Sequence, residues 1–189
     1  TIFKKKYEGI KVKLLISDSK EIINRTEQGE IDIGFVGARD NAKNLIYKKF
    51  FDDTIVIAAP KSFPNSMNLK ELQDYPMIIR EAGSGTRNCF DSALGRLHID
   101  TSNNLQIVAE LTDTEAIKEA VKHGLGMAYI SKMAIENELK KGDIKVLHIE
   151  GLKDLKRSFF VISKKGKTIL PHVRALMDTM DTWRKNEKD

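Results

Sequence analysis

At 189 residues, with 41% apolar and 31% charged side chains, the chain can bury a core as one domain or two small lobes, and its composition is not that of a disordered segment. Its formal charge of +5 comes from scattered lysines, clustered at residues 4–6, 48–49 and 164–167 and in the C-terminal tail; no basic helix carries the Arg, Asn or Gln side chains that read a DNA groove. The single cysteine excludes an intramolecular disulfide framework and suits a reducing compartment, and no apolar stretch approaches the length of a membrane span.

The opening Thr1-Ile2-Phe3-Lys4-Lys5-Lys6-Tyr7-Glu8 has no initiator Met and reads as the second half of an amphipathic helix, as expected of a fragment of a longer protein. Ile10, Val12, Leu14 and Ile16 alternate with polar residues, which predicts a strand with one buried face. Asp18-Ser19-Lys20-Glu21 reads as a capping box, Ile22, Ile23 and Thr26 share the following helical face, and Gly29 stops it. A short strand over 31–36 then leads into the loop Gly37-Ala38-Arg39-Asp40-Asn41. Helix, strand, helix, strand is the order of parallel strands joined by helical crossovers, a plan that collects ligands at the carboxyl ends of the strands.

An apolar run over 45–51 passes through Asp52-Asp53 into the strongest strand signal of the chain, 54–59, so a long strand with a polar interruption is expected to link two lobes. Pro60 and Pro64 break it, and Asn68-Leu69-Lys70-Glu71 caps a short helix with Leu69 and Leu72 inward. Next, Pro76-Met77-Ile78-Ile79 runs as a strand into Arg80-Glu81-Ala82-Gly83-Ser84-Gly85-Thr86-Arg87. The glycines allow a tight turn. Ser84 and Thr86 can cap a helix bearing Cys89, Phe90, Ala93, Leu94 and Leu97, and its unpaired N–H groups, with Arg87 adding charge, suit a small anion. The plainer alternative is a capped helix with a solvated Arg87. Cys89, on the apolar face, reads as a packed hydrophobe.

Residues 105–111 form a further strand, and Thr112-Asp113-Thr114-Glu115 reads as a capping box for a helix bearing Ala116, Ile117, Ala120 and Val121. Gly124-Leu125-Gly126 closes it; Gly126 is either part of the stop or a point of close backbone approach. A strand over 127–130 follows, then a helix capped by Ser131 and stopped by Gly142, and strands over 144–149 and 158–163. The chain ends in a helical stripe, Ile169, Leu170, Val173, Leu176, Met177, Met180 and Trp183, read as core.

Taken together, Gly29-Glu30-Ile31-Asp32-Ile33-Gly34, the glycine turn at 80–87 and Val121-Lys122-His123-Gly124-Leu125-Gly126-Met127-Ala128 resemble, in order and spacing, the effector-binding domain of LysR-type transcriptional regulators, over essentially the whole chain. The resemblance implies an α/β fold like the type II periplasmic binding proteins, each lobe a mixed, mostly parallel sheet flanked by helices. Lobe I would combine 1–51 with 156–189, and lobe II would be 52–155 inserted into it. The family's first strand and its winged helix-turn-helix would precede Thr1, so DNA would be bound only through that missing part. The effector, a carboxylate, oxyanion or amino-acid-like molecule, would sit between the lobes on Gly37, Ala38, Ser84, Gly85, Thr86, Arg87, Thr112 and Asp113. Some relatives have a hydroxyl residue in place of Gly37 or Ala38, and Asp113 would repel an anion unless it turns away or meets an amino group. The resemblance further implies a cytoplasmic homodimer or homotetramer with no membrane partner, in which residues 10–16 and the helix near Ile22 serve the dimer, their apolar side chains reading equally well as buried core.

The competing reading is a solute-binding protein of an ABC transporter. An enzyme is not expected: the four histidines lack metal-ligand spacing, Ser84 lacks the nucleophile-elbow pattern, and Gly83-Ser84-Gly85-Thr86 lacks the P-loop lysine. No catalytic residue, metal or cofactor is assigned.

Overall fold

The structure is a computed structural model that describes residues 2–40, 42–152 and 155–186. Thr1, the loop residue Asn41 and the tail past residue 186 lie outside the described residues. In chain order the elements are α1 (Ile2–Lys6), α2 (Ser19–Gln28), β1 (Gly34–Val36), β2 (Leu45–Ala59), β3 (Ser66–Asn68), β4 (Met77–Arg80), α3 (Gly85–Gly95), α4 (Thr101–Asn104), β5 (Ile107–Leu111), α5 (Thr114–Lys122), β6 (Met127–Ser131), α6 (Glu136–Lys141), β7 (Lys145–Glu150), β8 (Leu155–Lys164) and α7 (Pro171–Asn186). They divide into two compact units: Thr1–Phe51 with Phe159–Asp189, and Asp52–Ser158. The boundaries fall inside β2 and β8, so the chain leaves and re-enters the first unit along two continuous strands.

In the first unit, the Asp18 carboxylate accepts hydrogen bonds from the N–H groups of Lys20 and Glu21 at 2.8 and 3.0 Å, which starts α2, and Gly29 ends it in the left-handed conformation, φ 80°. That helix buries Ile22 and Ile23 against Val36, Leu45 and Ile162. Strand β1 pairs antiparallel with β8, Gly34 opposite Ile162. Gly34 is required there, because a Cβ would stand 2.7 Å from Ile22 and 2.8 Å from Ile162.

Two expectations fail in this unit. Residues 10–16 join no ladder among the described residues, and Val12, Leu14 and Ile16 stand 54%, 79% and 87% exposed. Alternation reports that a strand would have an apolar face but does not supply the neighbouring strand that covers it. Met177 and Met180 are half-buried rather than core, since α7 lies at the surface of its unit and only Val173 of its stripe is fully buried.

In the second unit β4 lies between β5 and β6 and is parallel to both, with Met77 opposite Ile107 and Met127. The second half of β2 runs antiparallel to β6 and β7, and β3 adds to the far edge of β7. Strand alternation sends Ile55, Ile57, Met77 and Tyr129 to one face, covered by Phe90 and Leu94 of α3, and sends Ala58, Ile78, Ala128 and Ile130 to the other, covered by Ile117 and Val121 of α5. Phe90 stacks on Tyr129 with centroids 4.1 Å apart, and burial raises the Tyr129 phenol above its ordinary pKa. Gly126 is a close-approach glycine: a Cβ there would lie 2.6 Å from the Pro76 carbonyl oxygen, which accepts the Met127 N–H at 2.9 Å.

Ser131 is not a helix cap. It ends β6 and bonds to Asp53, while the chain makes a 3-10 turn over Met133–Ile135 before α6 begins. The short helix expected after Asn68 is a 3-10 turn, Glu71–Asp74, with the Asn68 side chain accepting from Lys70 and Glu71.

Candidate functional site

Parallel strands β4, β5 and β6 end on the same side of the second unit, and three polar segments gather there: the turn into α3, the Thr112-Asp113 turn into α5, and Ser131. Gly83, at φ 97°, makes the reversal after β4, and Ser84 caps α3 by accepting the Arg87 N–H at 3.5 Å. The N–H groups of Gly85 and Thr86 precede the first intrahelical bond and have no backbone acceptor among the described residues. Ser84 and Thr86 are 2% and 6% exposed.

Beside this helix start stands a buried ionic network absent from the sequence reading. Arg157 on β8 donates through Nη1 to the Thr86 hydroxyl oxygen at 2.7 Å and through Nε to the Asp53 carboxylate on β2 at 2.9 Å. The other Asp53 oxygen accepts from Ser131 at 2.9 Å, and the Asp53 side chain is fully buried. Burial pulls the Arg157 pKa down, opposed chiefly by the Asp53 charge. A guanidinium so placed stays charged, paired with the Asp53 carboxylate and bonded to the first turn of α3 through Thr86. Cys89, one turn along α3, packs against the core, and burial pushes its thiol pKa up, against the pull of Arg157.

The expected site residues are distributed unevenly. Arg87 turns from the helix start: it donates to the Arg80 carbonyl at 2.9 Å and to Glu110 at 3.0 Å, and its Nε lies 3.5 Å from Asp91. Asp113 is the actual N-cap of α5, accepting from Ala116 at 2.8 Å, and Thr112 beside it is exposed. Gly37 and Ala38 belong to the first unit, half-buried after β1, where the Gly37 N–H donates to Ser19 at 3.3 Å. Only two signals hinted at the missed trio: the polar Asp52-Asp53 break in β2 and a lone Arg157 ahead of a strand. Among the described residues no cluster of three or more His, Cys, Asp or Glu side chains could hold a metal, and no helix is long and apolar enough to cross a membrane.

Hydroxyls, helix-start N–H groups and a buried guanidinium thus gather at the carboxyl ends of parallel strands. The family model described as LysR substrate binding domain matches residues 1–184, and the chain belongs to that family. The RuBisCO operon transcriptional regulator of Allochromatium vinosum is 26% identical over 181 residues, 94% of this chain and 58% of that protein. The HTH-type transcriptional activator CmpR of Synechocystis sp. is 27% identical over 180 residues, 93% of this chain and again 58% of that protein. A protein named phosphonates import ATP-binding protein PhnC, from Anaeromyxobacter dehalogenans, is 31% identical over 179 residues, 93% of this chain but 36% of its own length. The chain therefore spans only part of the curated relatives it matches. Among solved structures, the Synechocystis PCC6803 CcmR regulatory domain in complex with 2-PG superposes with a TM-score of 0.86 at 28% identity, covering 98% of this chain and 88% of that one. The chain thus has the type II periplasmic-binding-protein-like fold of LysR effector-binding domains, and the transporter reading is not favoured.

Proposed function

We propose that this chain senses a small anionic effector for a LysR-type transcriptional regulator, and that the start of α3 is where the anion is held. The observation that carries the reading is the set of donors there: the Gly85 and Thr86 N–H groups and the buried Ser84 and Thr86 hydroxyls. The likeness to a regulatory domain solved with 2-PG supports a phosphorylated or carboxylated acid as the effector class. Of the other residues expected to bind the effector, Thr112 is exposed beside the start of α5, Asp113 is occupied as its cap and Arg87 by Glu110, Asp91 and the Arg80 carbonyl.

In the whole regulator, effector binding shifts the population of conformations and so the arrangement of DNA-binding parts outside this chain. The domain carries no catalysis, works in the cytoplasm, and pairs with a second copy through the exposed apolar run 10–16. The test is a thermal-shift screen of the chain against 2-phosphoglycolate, inorganic phosphate, sulfate, short organic acids and amino acids, repeated with Thr86→Ala. An effector at a hundred times its Kd adds about 2.7 kcal/mol, a rise of about 5–10 °C for a chain of this size. The reading fails if no anion stabilises the chain or if the stabilisation survives Thr86→Ala undiminished.

A further inference from the structure

We infer that Arg157, and not Arg87, is the fixed positive charge that selects an anion at the start of α3, with Asp53 and Ser131 holding its guanidinium in place. The inference rests on the reading of the α3 start as the effector site. Both arginines belong to the second unit, and the glycine-turn sequence favours Arg87 because it lies in the first helical turn. The structure separates their roles. Arg87 is committed to a backbone carbonyl and faces two carboxylates, Glu110 and Asp91, and among the described residues its guanidinium makes no bond to Thr86.

Arg157 acts on the site through Thr86. A hydroxyl offers one hydrogen and two lone pairs. The Thr86 oxygen accepts from Arg157, and its own hydrogen has no acceptor among the described residues although the residue is only 6% exposed. A buried donor without an acceptor is costly, and a ligand oxygen beside it would relieve that cost. The accepted bond from a cation fixes Thr86 as a donor, so the first turn of α3 presents hydrogens only: two N–H groups, the hydroxyl and the guanidinium behind it. Such a set accepts a phosphate or carboxylate and rejects an ammonium group.

Asp53 pairs with Arg157 and holds its guanidinium in place. It is anchored from the far side by Ser131, so that the carboxylate, fully buried, orients the guanidinium toward Thr86. Asp53 and Arg157 also lie within a few residues of the points where β2 and β8 leave the second unit.

The experiment is titration calorimetry of this chain with inorganic phosphate and with 2-phosphoglycolate. The same titrations are repeated on Arg87→Gln, on Thr86→Ala and on the paired variant Asp53→Asn with Arg157→Gln, which removes both charges and strands neither. Loss of one charge-assisted contact is expected to weaken the paired variant roughly 10- to 100-fold, while Arg87→Gln stays within about threefold. Should the paired variant not fold, the wild-type chain is read directly: the Nε–H resonance of Arg157 is expected to move with anion concentration and that of Arg87 to stay, the peaks being assigned with Arg157→Lys and Arg87→Lys. Binding that depends on Thr86 but persists within threefold in the folded paired variant, or an Arg87 resonance that moves in place of Arg157, overturns the inference and leaves the site standing. A wild-type chain that binds neither anion overturns the site itself.

Discussion

Replacing Gly126 by alanine tests the packing that sets the strand ends on which the site is built. The new Cβ would lie 2.6 Å from the Pro76 carbonyl oxygen and 2.9 Å from the Pro76 carbonyl carbon, both backbone atoms of the strand entering β4. No side-chain rotamer relieves that contact. Overpacking of this kind costs about 1–3 kcal/mol, and separating the strands weakens the Met127 N–H bond to Pro76, about 1 kcal/mol more. A stiffer unfolded chain returns about 0.4–1 kcal/mol. The balance is a loss of about 1–3.5 kcal/mol. Urea unfolding followed by circular dichroism reads it as a midpoint lowered by about 1 M, given a slope of about 2 kcal/mol/M. Gly95→Ala is the control: its site is open and lacks a left-handed φ, so the change should stabilise α3 by about 0.5–1 kcal/mol. A Gly126→Ala chain as stable as wild type would refute the close-approach argument.

Other outcomes follow from the same geometry. Asp18→Ala should cost about 1 kcal/mol in urea unfolding, because two N–H groups at the start of α2 lose their acceptor. Lys118, nearly buried, bridges Glu115 at 2.8 Å and Glu138 at 2.9 Å, and Lys118→Met should cost about 1–2 kcal/mol at pH 7. The hydrogen bond from Lys118 holds the Glu138 carboxyl below its ordinary pKa, so that contribution is full above about pH 5 and fades as pH falls through the folded value. The hydrogen bond to Glu115, the leading cause, raises the Lys118 ammonium, whose share persists below about pH 10 and is lost as pH rises through its folded value. Wild type and variant should therefore converge at both extremes in pH-dependent unfolding. Burial of the Cys89 thiol should make iodoacetamide labelling at pH 7.5 about tenfold slower than that of a free thiol, as read by mass spectrometry.

Much of the fold was legible because local chemistry and tertiary packing agree. Asp18, Gly29, Ser84 and Gly142 mark helix ends in the sequence and hold those positions in space. What was illegible depends on neighbours that sequence periodicity does not name. Ser131 resembles a helix cap in sequence, yet its hydroxyl is taken by Asp53, seventy-eight positions earlier in the chain. Residues 10–16 alternate as a half-buried strand should, but alternation carries no information about the strand that would cover them.

The site divides in the same way. Gly83, Ser84, Gly85 and Thr86 declare a helix start able to meet an anion, since that depends on consecutive residues. The charge beside it comes from Arg157, brought to Thr86 across 71 positions, while Arg87, adjacent in sequence, is drawn off by Glu110. Sequence proximity points to Arg87, but the side chain of a first-turn helix residue goes where partners are, and two carboxylates lie on its outer side.

The central claim, that the start of α3 holds the effector anion, is tested most directly by the amide spectrum of this chain titrated with 2-phosphoglycolate. Hydrogen bonds from helix-start N–H groups to an anion should move the Gly85 and Thr86 resonances furthest downfield, saturating together with the binding isotherm. Saturable binding that leaves both amides in place, with the largest shifts elsewhere in the chain, would contradict it.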